Sequence, residues 1–222
     1  MIRLHNLTKR YWLDGTEKVV ADNLNFTFPG NQSVALLGRN GAGKSTLLAM
    51  IAGTTEPDQG EVITDGSVSW PVGFKGSFHR DLTGMQNTRF IARVYGVDTD
   101  ALSAFVARFS ELGRHFHLPV RSYSSGMLSR LSFGVSMGIR FDTYLVDEVT
   151  SVGDAAFKVK SQKLFAKRIG QSGAIVVSHS MNTIRRMCSA GAVLENGRLS
   201  WFDDVEDAIL CHETNMGASV DD

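Results

Sequence analysis

The stretch GRNGAGKST at residues 38–46 limits the possible folds of this chain more than any other feature. The apolar run SVALL precedes the loop. The stretch KSTLLAMIAG, which begins at Lys44 within the loop, has the composition of a helix. Glycines at this spacing let the backbone wrap around a phosphate so that successive N–H groups point at it. The start of the following helix adds the positive end of its dipole. The stretch therefore predicts a strand, a phosphate-binding loop and a helix in succession.

The loop residues have separate predicted roles in binding ATP and Mg²⁺. Lys44 is expected to reach the β- and γ-phosphates and to assist catalysis, and the Ser45 hydroxyl is expected to hold the magnesium ion. The other loop residues predicted to contact ATP are Gly38, Asn40, Gly41, Ala42, Gly43 and Thr46.

The apolar runs on either side of the loop indicate an α/β fold. Strands are predicted before residue 38 and again within TEPDQGEVITDGSVSW, whereas the region from 76 to 137 has the texture of helices, one of them capped by Asp100. That helix carries an apolar stripe at helical spacing: Leu102, Phe105, Val106, Phe109 and Leu112. After residue 140 strands and helices alternate, and a hairpin turns at Asn196-Gly197. The pattern predicts a mostly parallel sheet with an inserted helical lobe.

Carboxylates follow a second apolar strand, in YLVDEVTS. The carboxyl end of a parallel strand faces the ligand crevice, so Asp147 is expected to share the Mg²⁺ with Ser45. Glu148 is then placed to orient or deprotonate the water that attacks the γ-phosphate. His179 follows the strand AIVV and is predicted to be catalytic, bonding either a γ-phosphate oxygen or that water. Taken alone, the acidic pair is equally consistent with a solvated loop.

Composition excludes several classes of protein. Lys+Arg and Asp+Glu both number 23, whereas a nucleic-acid binder normally has a basic excess. The two cysteines do not have the spacing of a zinc or disulfide framework. The N-terminus lacks the apolar core of a leader, and no window approaches the roughly eighteen apolar residues of a membrane span. We therefore expect a protein of the reducing cytoplasm without a nucleic-acid partner.

Four stretches in this order, the phosphate loop, YSSGM, VDEVTSVGD and VSHS, resemble the ATP-binding subunits of ABC transporters over nearly the whole chain. The resemblance implies a P-loop NTPase (RecA-like) core with an N-terminal antiparallel β subdomain and an inserted α-helical subdomain. It implies one domain over 1–222, with the core and β subdomain in 1–75 and 138–214, the helical subdomain in 76–137 and a flexible tail at 215–222.

The resemblance also implies site residues. YSSGM stands at the signature motif, usually LSGGQ, so Ser124, Ser125 and Gly126 are expected to complete the ATP site of a second copy. The segment ending in Asp154 stands at the D-loop and is expected to contact nucleotide. Either Tyr11 or Trp12 would stack on adenine, with Tyr11 the preferred residue; a core strand aromatic is the other interpretation of Tyr11.

The residues within these motifs are similar to those of the ATPases of polysaccharide exporters, most of all the capsular-polysaccharide subunits of Gram-negative bacteria. That implies two ATPase copies on two copies of a membrane permease, peripheral on the cytoplasmic face of the inner membrane, with periplasmic and outer-membrane export components reached through the permease. An O-antigen or teichoic-acid exporter and a non-transport ABC ATPase are the alternatives.

The sequence departs from the wider family at several positions. Ser125 and Met127 replace the Gly and Gln of the signature, and no glutamine stands near Gly73, where the Q-loop is expected; Gln86 comes too late. The sequence therefore does not identify the residue that would replace this glutamine in coupling to the permease. The apolar residues expected to contact it are Phe74, Phe78 and Leu82.

Overall fold

The computed structural model describes residues 1–13, 15–73, 76, 78–148 and 154–217. Its elements in chain order are β1 (Ile2–Leu13), β2 (Thr16–Phe28), β3 (Ser33–Leu37), α1 (Lys44–Ile51), β4 (Gln59–Thr64), α2 (Gly84–Val94), α3 (Thr99–Ser110), α4 (Ser125–Gly138), β5 (Thr143–Asp147), α5 (Ala155–Ile169), β6 (Gly173–Val177), α6 (Met181–Met187), β7 (Ala190–Glu195), β8 (Arg198–Phe202) and α7 (Val205–Gly217). Short 3₁₀ helices at Gly113–His117 and Val120–Ser122 lie between α3 and α4.

The chain divides into two compact units. The first comprises Met1–Pro71, Phe141–Glu148 and Gln171–Asp222, and the second comprises Val72–Arg140 and Val149–Gly170. The second unit thus takes in α5, which was expected in the nucleotide-binding core. The helix α7 also continues to Gly217, three residues into the segment predicted as a tail.

Two sheets build the first unit. The N-terminal sheet has the order β2-β1-β4 and is antiparallel throughout. The other sheet has the order β5-β6-β3-β7-β8, in which only the β7–β8 pair is antiparallel. Apolar residues of β1, such as Leu4 and Leu7, share one core with the central strand β3 and with α1. The strand β3 is buried because helices and strands cover both its faces, which explains its unbroken apolar run.

The predicted hairpin is present between β7 and β8. Its turn residues Asn196 and Gly197 have φ angles of 47° and 74°, both positive, as a two-residue turn of the type favoured in hairpins requires.

In the second unit, α3 and α4 pack closely. A Cβ atom on Gly138 would lie 2.4 Å from Leu102 Cδ1, so a larger residue there would force the Leu102 side chain to shift. The α3 stripe is buried as predicted, apart from Phe105, which is partly buried. Phe109 contacts the ring of Phe157 at a centroid distance of 5.3 Å. The unit is therefore held by an aromatic core of its own.

Two local predictions are wrong. The cap of α3 is Asp98, whose carboxylate accepts from the N–H groups of Asp100 and Ala101, while the Asp100 side chain pairs with Arg89. The second strand predicted in TEPDQGEVITDGSVSW is reduced to a single bridge from Val68 to Thr143. Of the helices in the described residues, none has the length and apolarity to cross a membrane.

Candidate functional site

A cleft of about 310 Å³ lies at the carboxyl ends of β3, β5 and β6 in the first unit. It is lined by Tyr11, Lys18, Val20, Asn40, Gly41, Gly43, Lys44, Ser45, Thr46, Asp147, Glu148, Val177 and His179. The structure therefore brings the phosphate loop together with both strand-end carboxylates, the histidine and the β1 aromatic. Gly38 and Ala42, which were also predicted to contact ATP, are not among these lining residues.

The loop adopts a conformation that needs glycine. Gly43 has a φ of 105°, and a Cβ there would lie 2.4 Å from Val20 Cγ1. Gly38 has a φ of 150°, and a Cβ there would lie 2.4 Å from the carbonyl oxygen of Leu194. A side chain at either position would push the loop off its support, so these glycines set the shape of the phosphate cradle.

Lys44 begins α1 and brings its ammonium group back to the loop. Its Nζ donates to the carbonyl oxygens of Gly38 at 2.6 Å and Arg39 at 2.9 Å. Burial lowers the pKa of Lys44, and the charges of Asp147 and Glu148 oppose that effect. Because both of its hydrogen-bond acceptors are neutral carbonyls, its charge is available to an anion in the cleft.

The carboxylates stand where β5 ends beside β6. Asp147 pairs with Val177 across the ladder, and the Glu148 N–H donates to the Val177 carbonyl at 3.0 Å. Glu148 has a φ of 48°, in the left-handed region, which costs a non-glycine residue about 1–2 kcal/mol. Backbone strain of this kind clusters at functional sites. It presents the carboxylate to His179, whose Nε2 lies 2.7 Å from Glu148 Oε1.

The side chains suit a magnesium ion bound with a polyphosphate. Ser45 and Asp147 line the same cleft and supply a hydroxyl and a carboxylate, the hard oxygen ligands that Mg²⁺ takes. Within the described ranges, no group of three or more His, Cys, Asp or Glu side chains could hold a metal by itself. Phosphate and water oxygens would therefore complete the coordination, as is usual for Mg²⁺.

The strand β1 sends its two adjacent aromatics to different sides. Tyr11 lines the cleft and is 38% exposed, while Trp12 is 71% exposed and is not among the lining residues. Successive strand residues point to opposite faces, which explains the difference. Lys9 Nζ also lies 5.2 Å from the centroid of the Tyr11 ring.

A second cleft, of about 600 Å³, lies at the start of α4 in the second unit. It is lined by Glu111, Leu112, His115, Ser124, Ser125, Gly126, Met127, Ser129, Arg130 and Asp154. Ser124 is the N-cap of α4, and its hydroxyl accepts from the Met127 N–H at 3.2 Å. A Cβ on Gly126 would meet nothing nearer than Ser124 Oγ at 3.9 Å, so the helix start is open to a ligand.

Asp154 already has structural partners. It is the N-cap of α5, accepting from the Phe157 N–H at 2.9 Å, and it pairs with Arg130 Nη2 at 2.5 Å. The Phe157 N–H and the charge of Arg130 lower the pKa of this carboxyl group. The guanidinium of Arg130 in turn stacks 4.4 Å from the Phe157 ring centroid and reaches Glu111.

Gln86 has a structural role rather than a site role. It forms a capping box with Thr83 at the start of α2, where each side chain bonds the other's backbone N–H. Of the residues predicted to contact a permease, Phe78 and Leu82 are partly buried, and Phe74 lies outside the described residues, as do the D-loop positions 149–153.

Sequence reasoning missed Lys18, Arg130 and an exposed apolar pair. Phe90 and Val94 stand one turn apart on α2 and are 58% and 63% exposed. The sequence shows that they are four residues apart and so on one face of a helix, but only the packing of α2 shows that this face is exposed. Arg130 could have been found from the sequence, because it lies about one and a half turns into the helix that begins within the signature motif.

A glycine loop after the central strand of a parallel sheet, a lysine opening the next helix and carboxylates at another strand end define a P-loop nucleotide-binding protein. The ABC transporter family model matches residues 21–151, more than half of the chain, and the chain belongs to this family. The predicted class, an ABC transporter ATP-binding subunit with ATPase chemistry, is confirmed.

Two relatives that transport polysaccharides by name match over nearly their full length. The polysialic acid transport ATP-binding protein KpsT of Escherichia coli is 46% identical over 212 residues, covering 94% of this chain and 95% of that protein. The capsule polysaccharide export ATP-binding protein CtrD of Neisseria meningitidis serogroup B is 44% identical over 209 residues, covering 94% and 96%.

A solved dimeric ATP-binding cassette, bound to ADP and phosphate after hydrolysis, matches with a TM-score of 0.73 at 21% identity. The match covers 90% of this chain and 97% of that one. At this identity the likeness concerns the fold, and the predicted fold class is confirmed: a P-loop core, an antiparallel β sheet at the N-terminus and inserted helices.

Proposed function

We propose that this chain is the ATP-hydrolysing subunit of an ABC exporter that moves a lipid-linked capsular polysaccharide across the inner membrane. The observation that carries the proposal is the Glu148–His179 pair beside the Lys44 loop, because it joins a water-activating group to a triphosphate cradle in one cleft. Relatives whose names specify polysialic acid transport and capsule polysaccharide export support the substrate class.

The residues of the cleft divide the work of hydrolysis. Loop N–H groups and the Lys44 ammonium hold the phosphates and stabilise the charge on the transferred group. Ser45 and Asp147 would hold Mg²⁺, which would supply positive charge against the negative charge of the phosphates. Glu148 accepts a hydrogen of the attacking water, whose oxygen bonds to the γ-phosphorus as the bond to the ADP oxygen breaks. Glu148 then releases the proton, giving ADP and phosphate.

His179 is assigned to orient Glu148 and the water. Its ring is exposed and lies within hydrogen-bonding distance of one carboxylate oxygen, which leaves the other oxygen for the water. A base that is itself oriented by a third group is a common arrangement in catalysis.

Two copies are needed for complete sites in this proposal. Each chain has one phosphate loop and one signature helix start, and the residues found to line the signature cleft include neither Lys44 nor the strand-end carboxylates. Ser124, Ser125 and Gly126 of one copy would face the γ-phosphate held by the other. Asp154, at the end of the D-loop segment, would also contact the nucleotide. Tyr11 would stack on the adenine, since it lines the cleft and Trp12 does not.

The partner is a permease of two membrane subunits, which places the protein peripherally on the cytoplasmic face of the inner membrane. Further export components in the periplasm and outer membrane would be reached through that permease. Of the residues predicted to contact the permease, Phe78 and Leu82 lie in the part of the chain that the structure describes. The exposed pair Phe90 and Val94 is a second candidate contact surface.

The test is to purify the chain with its permease in lipid and to measure phosphate release with defined lipid-linked glycans. Stimulation by capsular polysaccharide on its lipid anchor, and not by O-antigen or teichoic-acid precursors, is expected. Stimulation by either of the latter alone would replace the capsular assignment with the corresponding alternative, and activity indifferent to any permease would favour a non-transport ATPase. A Phe90→Ser/Val94→Ser variant is a control for coupling.

A further inference from the structure

The strand β2 runs along the phosphate loop and covers it with alternate side chains. Val20 lies against Gly43, with Cγ1 2.4 Å from the position a Cβ would take. Two residues earlier, Lys18 reaches Gly41, with Nζ 3.4 Å from the corresponding Cβ position. Residues two apart in a strand share a face, so Lys18 is held over the loop by the same packing that holds Val20.

Among the described residues Lys18 has no acidic partner, unlike its neighbours Lys9 and Arg10 in the same sheet. Lys9 pairs with Asp58 at 2.7 Å, and Arg10 pairs with Glu17 at 3.0 Å and with Asp22 at 3.4 Å. For Lys18 the described ranges contain neither an ion pair nor a hydrogen bond. Its chain neighbour Glu17 is engaged by Arg10. Within the part of the chain that the structure describes, no carboxylate pairs with the Lys18 ammonium beside the loop.

The position of Lys18 along the cleft is fixed by the sheet. Tyr11 and Lys18 are directly opposite each other in the β1–β2 ladder, and both line the cleft. Side chains directly opposite in an antiparallel pair lie on the same face about 5 Å apart at Cβ. Lys18 thus stands between the aromatic ring and Gly41, at the end of the cleft marked by Tyr11.

We propose that Lys18 is a second nucleotide-binding cation, which contacts the phosphate group nearest the ribose rather than the γ-phosphate. This proposal rests on the proposed function, in which the adenine lies on Tyr11 and Lys44 serves the β- and γ-phosphates. A phosphate bridging Tyr11 and the loop then lies beside the Lys18 ammonium. Because ADP and ATP share that phosphate, Lys18 is expected to strengthen the binding of both equally.

The test compares Lys18→Met, which keeps the length of the side chain without its charge, with Lys18→Arg and with Lys163→Met on the exposed surface of α5. Calorimetry gives the affinities for ADP, a non-hydrolysable ATP analogue and adenosine. Lys18→Met is expected to weaken ADP and the ATP analogue alike by about threefold to tenfold, the range for one partly exposed charged contact. Adenosine affinity, Lys18→Arg and Lys163→Met are expected to stay within about twofold of wild type.

Salt provides a second readout. The Lys18 side chain is exposed, so its contribution is expected to shrink between about 0.05 M and 0.5 M salt as the charges are screened. The ratio of the Lys18→Met and wild-type dissociation constants for ADP should fall toward one.

Three results would overturn the proposal. Unchanged ADP affinity in Lys18→Met removes the contact, and a loss confined to the ATP analogue moves it to the γ-phosphate. An equal loss for adenosine moves it to the base or ribose. In all three cases wild-type nucleotide binding persists and the proposed function stands, whereas a wild-type protein that binds no nucleotide overturns both.

Discussion

His179 Nε2 lies 2.7 Å from Glu148 Oε1, where the neighbouring strands β6 and β5 end side by side. Glu148 is held there in the left-handed backbone region, and its N–H is bonded to the Val177 carbonyl. The geometry assigns His179 to positioning a carboxylate that already lies beside the phosphate loop.

Replacing His179 with alanine is expected to reduce steady-state hydrolysis by about 10²-fold, in the range for loss of one acid–base participant. Nucleotide affinity should change less than about threefold, since Lys44 and the loop are untouched. Rates of phosphate release and calorimetric affinities measured on the same preparation check this. An ATP affinity that collapses along with the rate would show that His179 is a binding residue instead.

Gly43→Ala tests the support of the loop by β2. The new Cβ would meet Val20 at 2.4 Å and would also carry the φ of 105°, so the free energy of unfolding should fall by about 1–3 kcal/mol. Urea unfolding of Gly43→Ala, Val20→Ala and the double variant completes a cycle. Removing Val20 Cγ1 should relieve part of the cost, whereas additivity within about 0.5 kcal/mol would mean that the two residues are not in contact.

Asp154 is expected to stabilise the fold whether or not it contacts nucleotide. Its pKa is lowered in the folded state, so its contribution is present above the unfolded pKa of about 3.9 and is lost as the pH falls through the folded value. Asp154→Ala should lower the melting temperature by about 2–4 °C at neutral pH, with a smaller difference below about pH 3.5.

Asp154→Asn is the matched control, because asparagine keeps the cap and loses only the charge pairing with Arg130. It should retain most of the melting temperature. Equal melting temperatures for wild type and Asp154→Ala at neutral pH would contradict the capping role.

Ser124→Arg addresses the sharing of sites between two copies. It should abolish hydrolysis while leaving ATP binding to the single subunit largely intact. Mixing it with an inactive Lys44→Ala variant creates dimers with one intact site, so about a quarter of wild-type hydrolysis should return. A mixture as inactive as its components, or loss of binding by Ser124→Arg alone, would contradict the shared site.

The sequence predicted those parts of the fold that depend on local patterns. The loop, the strand ends at Asp147 and His179 and the turn at Asn196-Gly197 each depend on residues adjacent in the chain. The cap at Asp98 was assigned two residues late because two aspartates compete for one helix start, and only the backbone decides between them.

Lys18 shows what the sequence could not provide. Its role depends on the pairing of β2 with β1 and on the packing of β2 over a loop about twenty residues further along the chain. The partners of Asp154 were hidden for the same reason, because Arg130 reaches it from another helix. Strand pairing and packing between residues that are distant in the chain cannot be predicted from the local spacing of apolar and polar residues.

The central claim is that Glu148 activates the water while other residues hold ATP. The most direct test is a single-turnover measurement of phosphate release by Glu148→Gln, with the permease present and the protein in excess over Mg²⁺-ATP. We predict normal ATP affinity, a release rate lowered by at least about 10²-fold and a stable ATP-bound pair of subunits. Release at a rate near that of wild type would contradict the account.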